Sequence, residues 1–391
     1  MQVEERRRLS GRLKERAREL GFELAGITTP DPPPHLGVYA RWLESGHHAG
    51  MNYLATPRAR SRRADPLQIL PECRSILVVG VNYTPSGSAP PIAGAQIAAY
   101  AVGDDYHDWI PARVEKLVAF LETELGRKIP NRIYTDTGPI LERELAQRAG
   151  LGWIGKNTCL INPMAGSYFL LAEVFLGIEL EPDAPHHTDQ CGSCTRCIEA
   201  CPTACILPNR TLDARHCISY LTIEEKGQIP PELRPSLGTW AFGCDICQQV
   251  CPWNRRFAQP TDKPEFQPSQ FVQGDVLPTL LELPVKGWRS FLAGSPLARP
   301  KRRGLVRNAA IIAANTRARG RLPQLLRLLR SDPDPVVRAH AAWALSCFQD
   351  VRAIESLRQQ QTREQDQGVI DEIEAALGAA SAGQERMTWD S

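Results

Sequence analysis

Three things are scarce in this chain, and each narrows what it does. The first is apolar length. No run is long enough to span a bilayer, and the opening MQVEERRRLSGRLKERAREL is charged throughout, without the apolar core of a secretory leader. A cytoplasmic protein with no membrane partner is the expectation. The second is charge imbalance. Lys and Arg number 46 against 44 Asp and Glu, a formal net charge of +2. A nucleic acid would have to be met by a local basic patch, not by a field over the whole surface. The third is a signature for an organic redox cofactor, since no flavin or haem motif is present. GLGWIG (Gly150, Gly152, Gly155) matches G-x-G-x-x-G, but the helical pattern ILERELAQRA precedes it where a dinucleotide fingerprint requires a strand. It reads instead as a helix stop and a tight loop leading to Lys156 and Asn157. Any electrons must then come from an external donor.

Cysteine, by contrast, is plentiful: twelve in 391 residues. Without a leader, reduced thiols held as metal ligands are expected, not disulfides. Cys191 to Pro202, CGSCTRCIEACP, reads C-x2-C-x2-C-x3-C-P, the spacing of two-cluster ferredoxins, in which the fourth cysteine ligates the other cluster. Such a run implies a partner run. It is present in altered form as Cys217 and then Cys244, Cys247 and Cys251, with Pro252 after the last. Crossing the fourth ligands assigns one [4Fe–4S] cluster to Cys191, Cys194, Cys197 and Cys251, and a second to Cys201, Cys217, Cys244 and Cys247. C-x2-C pairs also build zinc sites, but those do not need the third cysteine or the repeated C-P ending. Cys73, Cys159, Cys205 and Cys347 are left over and read as small buried apolar residues. Cys205, close behind Cys201, could compete as a ligand.

The length allows two to three domains, and 42% hydrophobic residues suffice for a large core. The expected class is α+β and multi-domain. Residues 1–180 alternate helical and strand patterns, with a helix over 1–21, strands at FELAGIT, SILVVGVNY, RIYTDTGP and SYFLLAEVFLGIEL, and a helix at ILERELAQRAG. That alternation suggests an α/β layer. The Pro/Gly/Ser-rich stretch 84–96 and the basic run Arg58 to Arg63 read as loops. Residues 181–262 form the cluster domain. Residues 263–391 hold a linker and helical repeats: LVRNAAIIAAN and VVRAHAAWALS resemble each other 31 residues apart, Leu305 to Val336, and VIDEIEAALG is a weaker third copy. They have the look of HEAT-type helix pairs, which make binding surfaces. Lys301, Arg302, Arg303 and Arg307 make a candidate phosphate-binding patch there.

Two further sites carry possible chemistry. Asp136, in TDTGP, stands at a strand end just ahead of a helix, where a carboxylate is commonly a cap and alternatively a general acid raised by desolvation. DYH (Asp105–His107) opens like the D-x-H-x-x-G of cobalamin proteins that place histidine on cobalt. Ile110 occupies the glycine position, so His107 is read as a structural or substrate-side histidine.

Several segments together resemble the epoxyqueuosine reductases. They are MNYLATPRARSRRADP, AAYAVGDDYH, TDTGPILERELAQRAGLGWIGKNT, CGSCTRCIEACP, RHCISYLTIEEKG and FGCDICQQVCPWN, in chain order Met51 to Asn254. The helical tail fits the longer members. The resemblance implies reduction of the epoxide of epoxyqueuosine to queuosine at the wobble position of tRNAs with a GUN anticodon. It implies two [4Fe–4S] clusters and a base-off cobalamin without a histidine ligand, in an α/β cobalamin-binding domain. It carries the catalytic acid onto Asp136 and cobalamin contacts onto Arg63, Asp136, Leu160, Ser219 and Asp245. The second cluster is then expected beside the cobalamin, because Asp245 lies in its ligand run. Some members have a cysteine ahead of the segment that here reads QIAAYA, so no role for that thiol transfers. A monomer served by an external low-potential electron donor is expected. Two other classes remain open from the residues alone. One is a corrinoid iron–sulfur reductase of a small molecule, similar to reductive dehalogenases. The other is a non-enzymatic, ferredoxin-type electron carrier.

Overall fold

The computed structural model describes residues 2–85 and 94–389, with side chains through 379. The middle of the stretch read as a loop over 84–96 therefore lies outside the described residues. The chain packs into two compact units, neither continuous in sequence. The first takes the described residues of Met1–Gly87, Asp105–Arg215 and Asp245–Phe266; the second takes those of Ser88–Asp104, His216–Cys244 and Gln267–Ser391.

The first unit is built on a four-stranded sheet. Its strands are β1 (Leu24–Thr28), β2 (Ser75–Asn82), β3 (Asn131–Tyr134) and β4 (Phe169–Leu176), ordered β1-β2-β4-β3 and antiparallel throughout. The alternating helices and strands read from the sequence are there, but no parallel crossover joins them. SILVVGVN has β-branched residues on both faces and occupies the centre, where all eight residues are buried. Helix α1 (Val3–Glu19) buries Leu9, Leu13 and Ala17, one stripe of a 3.6-residue period. Burying Leu13 completely is worth about 2 kcal/mol. Next come α2 (Leu36–Glu44) and α3 (Pro57–Ala64). Helix α3 corrects the loop expected over Arg58–Arg63. Thr56 Oγ1 accepts from the Ala59 amide at 3.2 Å, and Pro57 stands at the first helical position, a start signal that outweighs the charge run. Helix α4 (Tyr106–Leu125) is capped by Asp105, and α5 (Glu142–Arg148) follows the turn after β3.

The second unit is mostly helical. It contains α6 (Ile218–Ile223) and a short parallel pairing of Gln96–Ile97 with Trp240–Phe242. The helices α7 (Lys301–Asn315), α8 (Leu322–Ser331), α9 (Pro335–Ser346), α10 (Val351–Gln361) and α11 (Gln367–Trp389) follow. The three repeat segments fall on α7, α9 and α11, with α8 and α10 as the intervening partners. Leu305, Ala309, Ile312, Val337, Ala341, Val369 and Ile373 share one apolar cluster, as stacked helix pairs require. Small residues on α7 and α9 let the helices approach closely, and Ala dominates the buried positions.

Candidate active site and metal centre

The turn after β3 presents Asp136. Its φ is +53°, in the left-handed region that Asp enters more readily than most residues. Gly138 completes the turn because a Cβ there would stand 2.5 Å from Cγ of Tyr134. Asp136 does not cap α5: the residue before that helix is Leu141, which makes no side-chain cap. Two hydrogen bonds hold it instead. Tyr106 Oη donates to Asp136 Oδ2 at 2.8 Å, and the Asp136 amide donates to Glu142 Oε1 at 2.8 Å. The carboxylate opens onto a cavity of about 630 Å³. Its apolar and aromatic lining includes Val38, Tyr39, Trp42, Met51 and Leu54. Its polar lining includes Arg63, Asp136, Glu142, Arg143 and Arg210. Arg63 is buried, donates to the Ala59 carbonyl at 3.3 Å, and lies over the Tyr39 ring at 5.4 Å.

Two more carboxyl groups belong to this corner. Burial and the negative charge of Asp136 push Glu142 up to about 7. Glu173, on β4, is completely buried, and neither carboxyl oxygen has a hydrogen-bond partner among the described residues. Burial first, then the charges of Glu142 and Asp136, drive it well above the usual carboxylate range.

A second constellation surrounds a small pocket lined by Cys191, Cys194, Cys197 and Cys251, together with Lys156, Asn157, Ile161, Pro252 and Trp253. The four sulfurs assigned to the first cluster are thus brought together. The GLGWIGKN loop packs around them. Trp153 Nε1 donates to Cys191 Sγ at 3.4 Å, and Lys156 Nζ donates to the carbonyls of Gly192 and Cys194 at 2.7 and 3.0 Å. Asn157 is buried, and its Nδ2 has no partner among the described residues. An amide donor left unsatisfied beside four thiolates fits a cluster that offers sulfur acceptors. Gly152 is required because a Cβ would fall 2.1 Å from the Ile161 carbonyl oxygen. The three glycines lie in the loop that packs around the cysteines.

The ligands assigned to the second cluster are divided, with Cys201 and Cys247 in the first unit and Cys217 and Cys244 in the second. Cys205 is buried with its Sγ 3.5 Å from that of Cys201, and this contact holds the Cys201 thiol down, to about 4. Cys73 is buried, as expected, whereas Cys347 is exposed. Of the cobalamin candidates, Arg63 and Asp136 line the large cavity. Leu160 is buried in a neighbouring apolar cluster, Asp245 is buried in the first unit, and Ser219 lies on α6 in the second. His107 Nδ1 is tied to Asp105 at 2.7 Å and its ring stacks on Tyr106.

The phosphate-binding patch needs correction. Arg307 is completely buried and donates to the carbonyls of Leu221, Glu225 and Gly227. Arg302 is buried against Asp332 and the Leu283 carbonyl. These two guanidiniums satisfy the protein's own acceptors and present nothing to phosphate. Arg303 is half-exposed and pairs with Asp334, and Lys301 is exposed. The sequence reading also missed Tyr106, Glu142, Trp153 and Asn308. Tyr106 sits inside the DYH segment and Glu142 six residues past Asp136, but only the fold aims them inward.

Together these features define an iron–sulfur protein with a cavity-bound acid, and comparisons with known proteins agree. Residues 190–254 match the model of the 4Fe-4S double cluster binding domain, and residues 298–378 match HEAT repeats. Residues 63–137 match the model described as epoxyqueuosine reductase QueG, DUF1730. The epoxyqueuosine reductase of Pseudomonas aeruginosa is 39% identical over 86% of this chain and 94% of its own, and that of Synechocystis is 42% identical over 68% and 91%. A crystal structure of epoxyqueuosine reductase with an epoxyqueuosine-modified tRNA-Tyr stem loop superposes with a TM-score of 0.88. It is 31% identical, and the match covers 96% of this chain and 99% of that one. The chain belongs to the epoxyqueuosine reductase family.

Proposed function

We propose that this chain reduces the epoxide of epoxyqueuosine to the alkene of queuosine at the wobble position of tRNA with a GUN anticodon. The observation that carries the reading is Asp136, held by Tyr106 and lining a large cavity in a chain of this family. The reaction takes up two electrons and two protons, breaks both C–O bonds of the ring, and releases the oxygen as water.

The cavity suits a large cofactor, because its lining combines apolar and aromatic side chains with a buried guanidinium and a carboxylate. Of the contacts that the family resemblance implies, Arg63 and Asp136 line this cavity and would hold a cobalamin there, base-off and without a histidine on cobalt. When bound, such a group supplies low-potential electrons and a strong nucleophile to the epoxide carbon, and the two [4Fe–4S] clusters supply single electrons. This chain's own part is the proton. An alkoxide leaves poorly, so Asp136 protonates the epoxide oxygen as the ring opens. Tyr106 fixes that carboxyl group, and the left-handed turn keeps it on the cavity side.

The working parts are proposed as a cobalamin-binding catalytic part over 1–180, the cluster segment over 181–262, and helical repeats over 263–391 that meet the tRNA. The setting is a cytoplasmic monomer fed by an external low-potential donor. No helix among the described residues is long and apolar enough to cross a membrane.

Asp136→Asn tests the assignment. The variant should bind cobalamin as the parent does, followed by the corrinoid absorption spectrum, and lose at least about 100-fold in turnover. Turnover near the parent's level would overturn the role of Asp136.

A further inference from the structure

The reaction puts two protons on one oxygen, and Asp136 carries one at a time. A second source is needed within reach of the first. Glu142 occupies that place. Its carboxyl group lines the same cavity, and its Oε1 accepts the Asp136 amide at 2.8 Å. Behind it, Glu173 stands on β4, opposite Tyr134 on β3 and Val78 on β2, completely buried with both oxygens unpartnered among the described residues. A bare carboxylate cannot persist in such a place, so Glu173 stays a neutral acid. Asp136, Glu142 and Glu173 therefore interact as one group of carboxyls, beside a cavity that Glu144, paired with His35, also lines.

We propose that Glu142 holds the second proton of the reaction and returns it to Asp136 after Asp136 has protonated the epoxide oxygen. Glu142 is thereby a positioning residue acting through Asp136, and the inference rests on the reading of Asp136 as the acid. The proton leaves Glu142, reprotonates Asp136, and passes to the hydroxyl formed on ring opening, which departs as water. Asp136 and Glu142 then each regain a proton from solvent through the cavity, two protons per turnover. The electrons are those of the reduction itself, and the relay consumes none.

Its surroundings explain why Glu142 keeps a proton near neutrality. Burial and Asp136 on the turn raise it, while the Asp136 amide, Arg143 on α5 and Arg63 on α3 pull it back, leaving it at about 7. Glu173 on β4 faces the same two carboxylates, and their charges help keep it protonated. The supply is then full below pH 7 and empties above it.

Glu142→Gln keeps the acceptor for the Asp136 amide and removes only the proton. Two measurements test the inference. In the parent without substrate, infrared spectra at pH 6 should include the protonated-carboxyl bands of Glu142 and Glu173. One titrates away near pH 7 and is missing from Glu142→Gln. The other persists and is missing from Glu173→Gln. In turnover, the parent should lose rate through one ionisation above pH 7. Glu142→Gln should be at least about tenfold slower at pH 6 and flat across that range, with Glu142→Asp restoring part of the rate and the slope. A titrating band that survives in Glu142→Gln, or a Glu142→Gln pH profile like the parent's, would overturn the inference. The spectra need no catalysis, so they stand even if Asp136→Asn shows that Asp136 is not the acid.

Discussion

Asp136 is held by the Tyr106 hydroxyl on its carboxyl group and by its own amide's bond to Glu142. Tyr106→Phe removes one hydrogen bond to a charged group, worth about 1.5–3 kcal/mol. Turnover should fall by about ten- to a hundredfold while cobalamin binding is unchanged; equal loss of both would mean that the tyrosine shapes the cavity and does not orient the acid. Asn157 makes a parallel prediction at the metal centre. Amide donors aimed at cluster sulfur raise its reduction potential, so Asn157→Leu should lower the potential of the first cluster in an EPR-monitored titration. An unchanged potential would show that the Nδ2 group finds another acceptor. The raised carboxyls also set a pH dependence of stability. Glu142 goes from an ordinary 4.5 to about 7 on folding, so the folded chain binds more protons than the unfolded chain between those values. Its contribution is fully present below pH 4.5 and is lost as pH rises through 7, at up to about 1.4 kcal/mol per pH unit. Urea denaturation of Glu142→Gln should therefore show a shallower loss of stability from pH 5 to 8 than the parent. Asp136 was legible from the DTG turn. Glu142 and Glu173 were not, because their meeting depends on the register that sets Glu173 opposite Tyr134, which no single segment encodes.

Helix α7 shows what a basic run can conceal. Its stretch from Gly304 to Ala314 is buried almost all round, so the arginines within it point into protein. Arg307 holds three carbonyls of the α6 segment and its following turn. The neighbouring Asn308 bridges the Thr222 and Ala241 carbonyls, joining the segment after Cys217 to the strand before Cys244. These two side chains take up the slack left by the long insertion between two cluster cysteines. Arg307→Met leaves those carbonyls unsatisfied in a buried site and should cost about 3–5 kcal/mol in chemical denaturation. A cost under 1 kcal/mol would mean that water replaces the guanidinium there. The clue in the sequence was present: a helix rich in Ala, Ile and Leu on every face is an interior helix, and its charges must be paired. Charge counting alone concealed it. The same kind of local signal, Thr56 and Pro57 ahead of RARSRRA, marked α3 as a helix where the arginines had suggested a loop.

Across the whole chain, the features that repeat or are spaced by chemistry were the legible ones. The cysteine runs announced a double-cluster segment, and the 31-residue echo from Leu305 to Val336 announced stacked helices, with its faint third copy on α11. The four main strands could be read from their β-branched runs, yet not their antiparallel order, because pairing partners lie up to a hundred residues apart. Nor could the sequence show that each compact unit draws on separate stretches of the chain, with the second cysteine run divided between them. The central claim is that this arrangement exists to remove one oxygen from a modified tRNA base. The most direct test is anaerobic. The protein is reconstituted with iron, sulfide and cobalamin, given a strong reductant and epoxyqueuosine-containing tRNA, and the nucleosides are read by mass spectrometry. Loss of the mass of one oxygen from the modified nucleoside, only when cobalamin is present, is the predicted result. An unchanged nucleoside with both clusters assembled and cobalamin bound would contradict it.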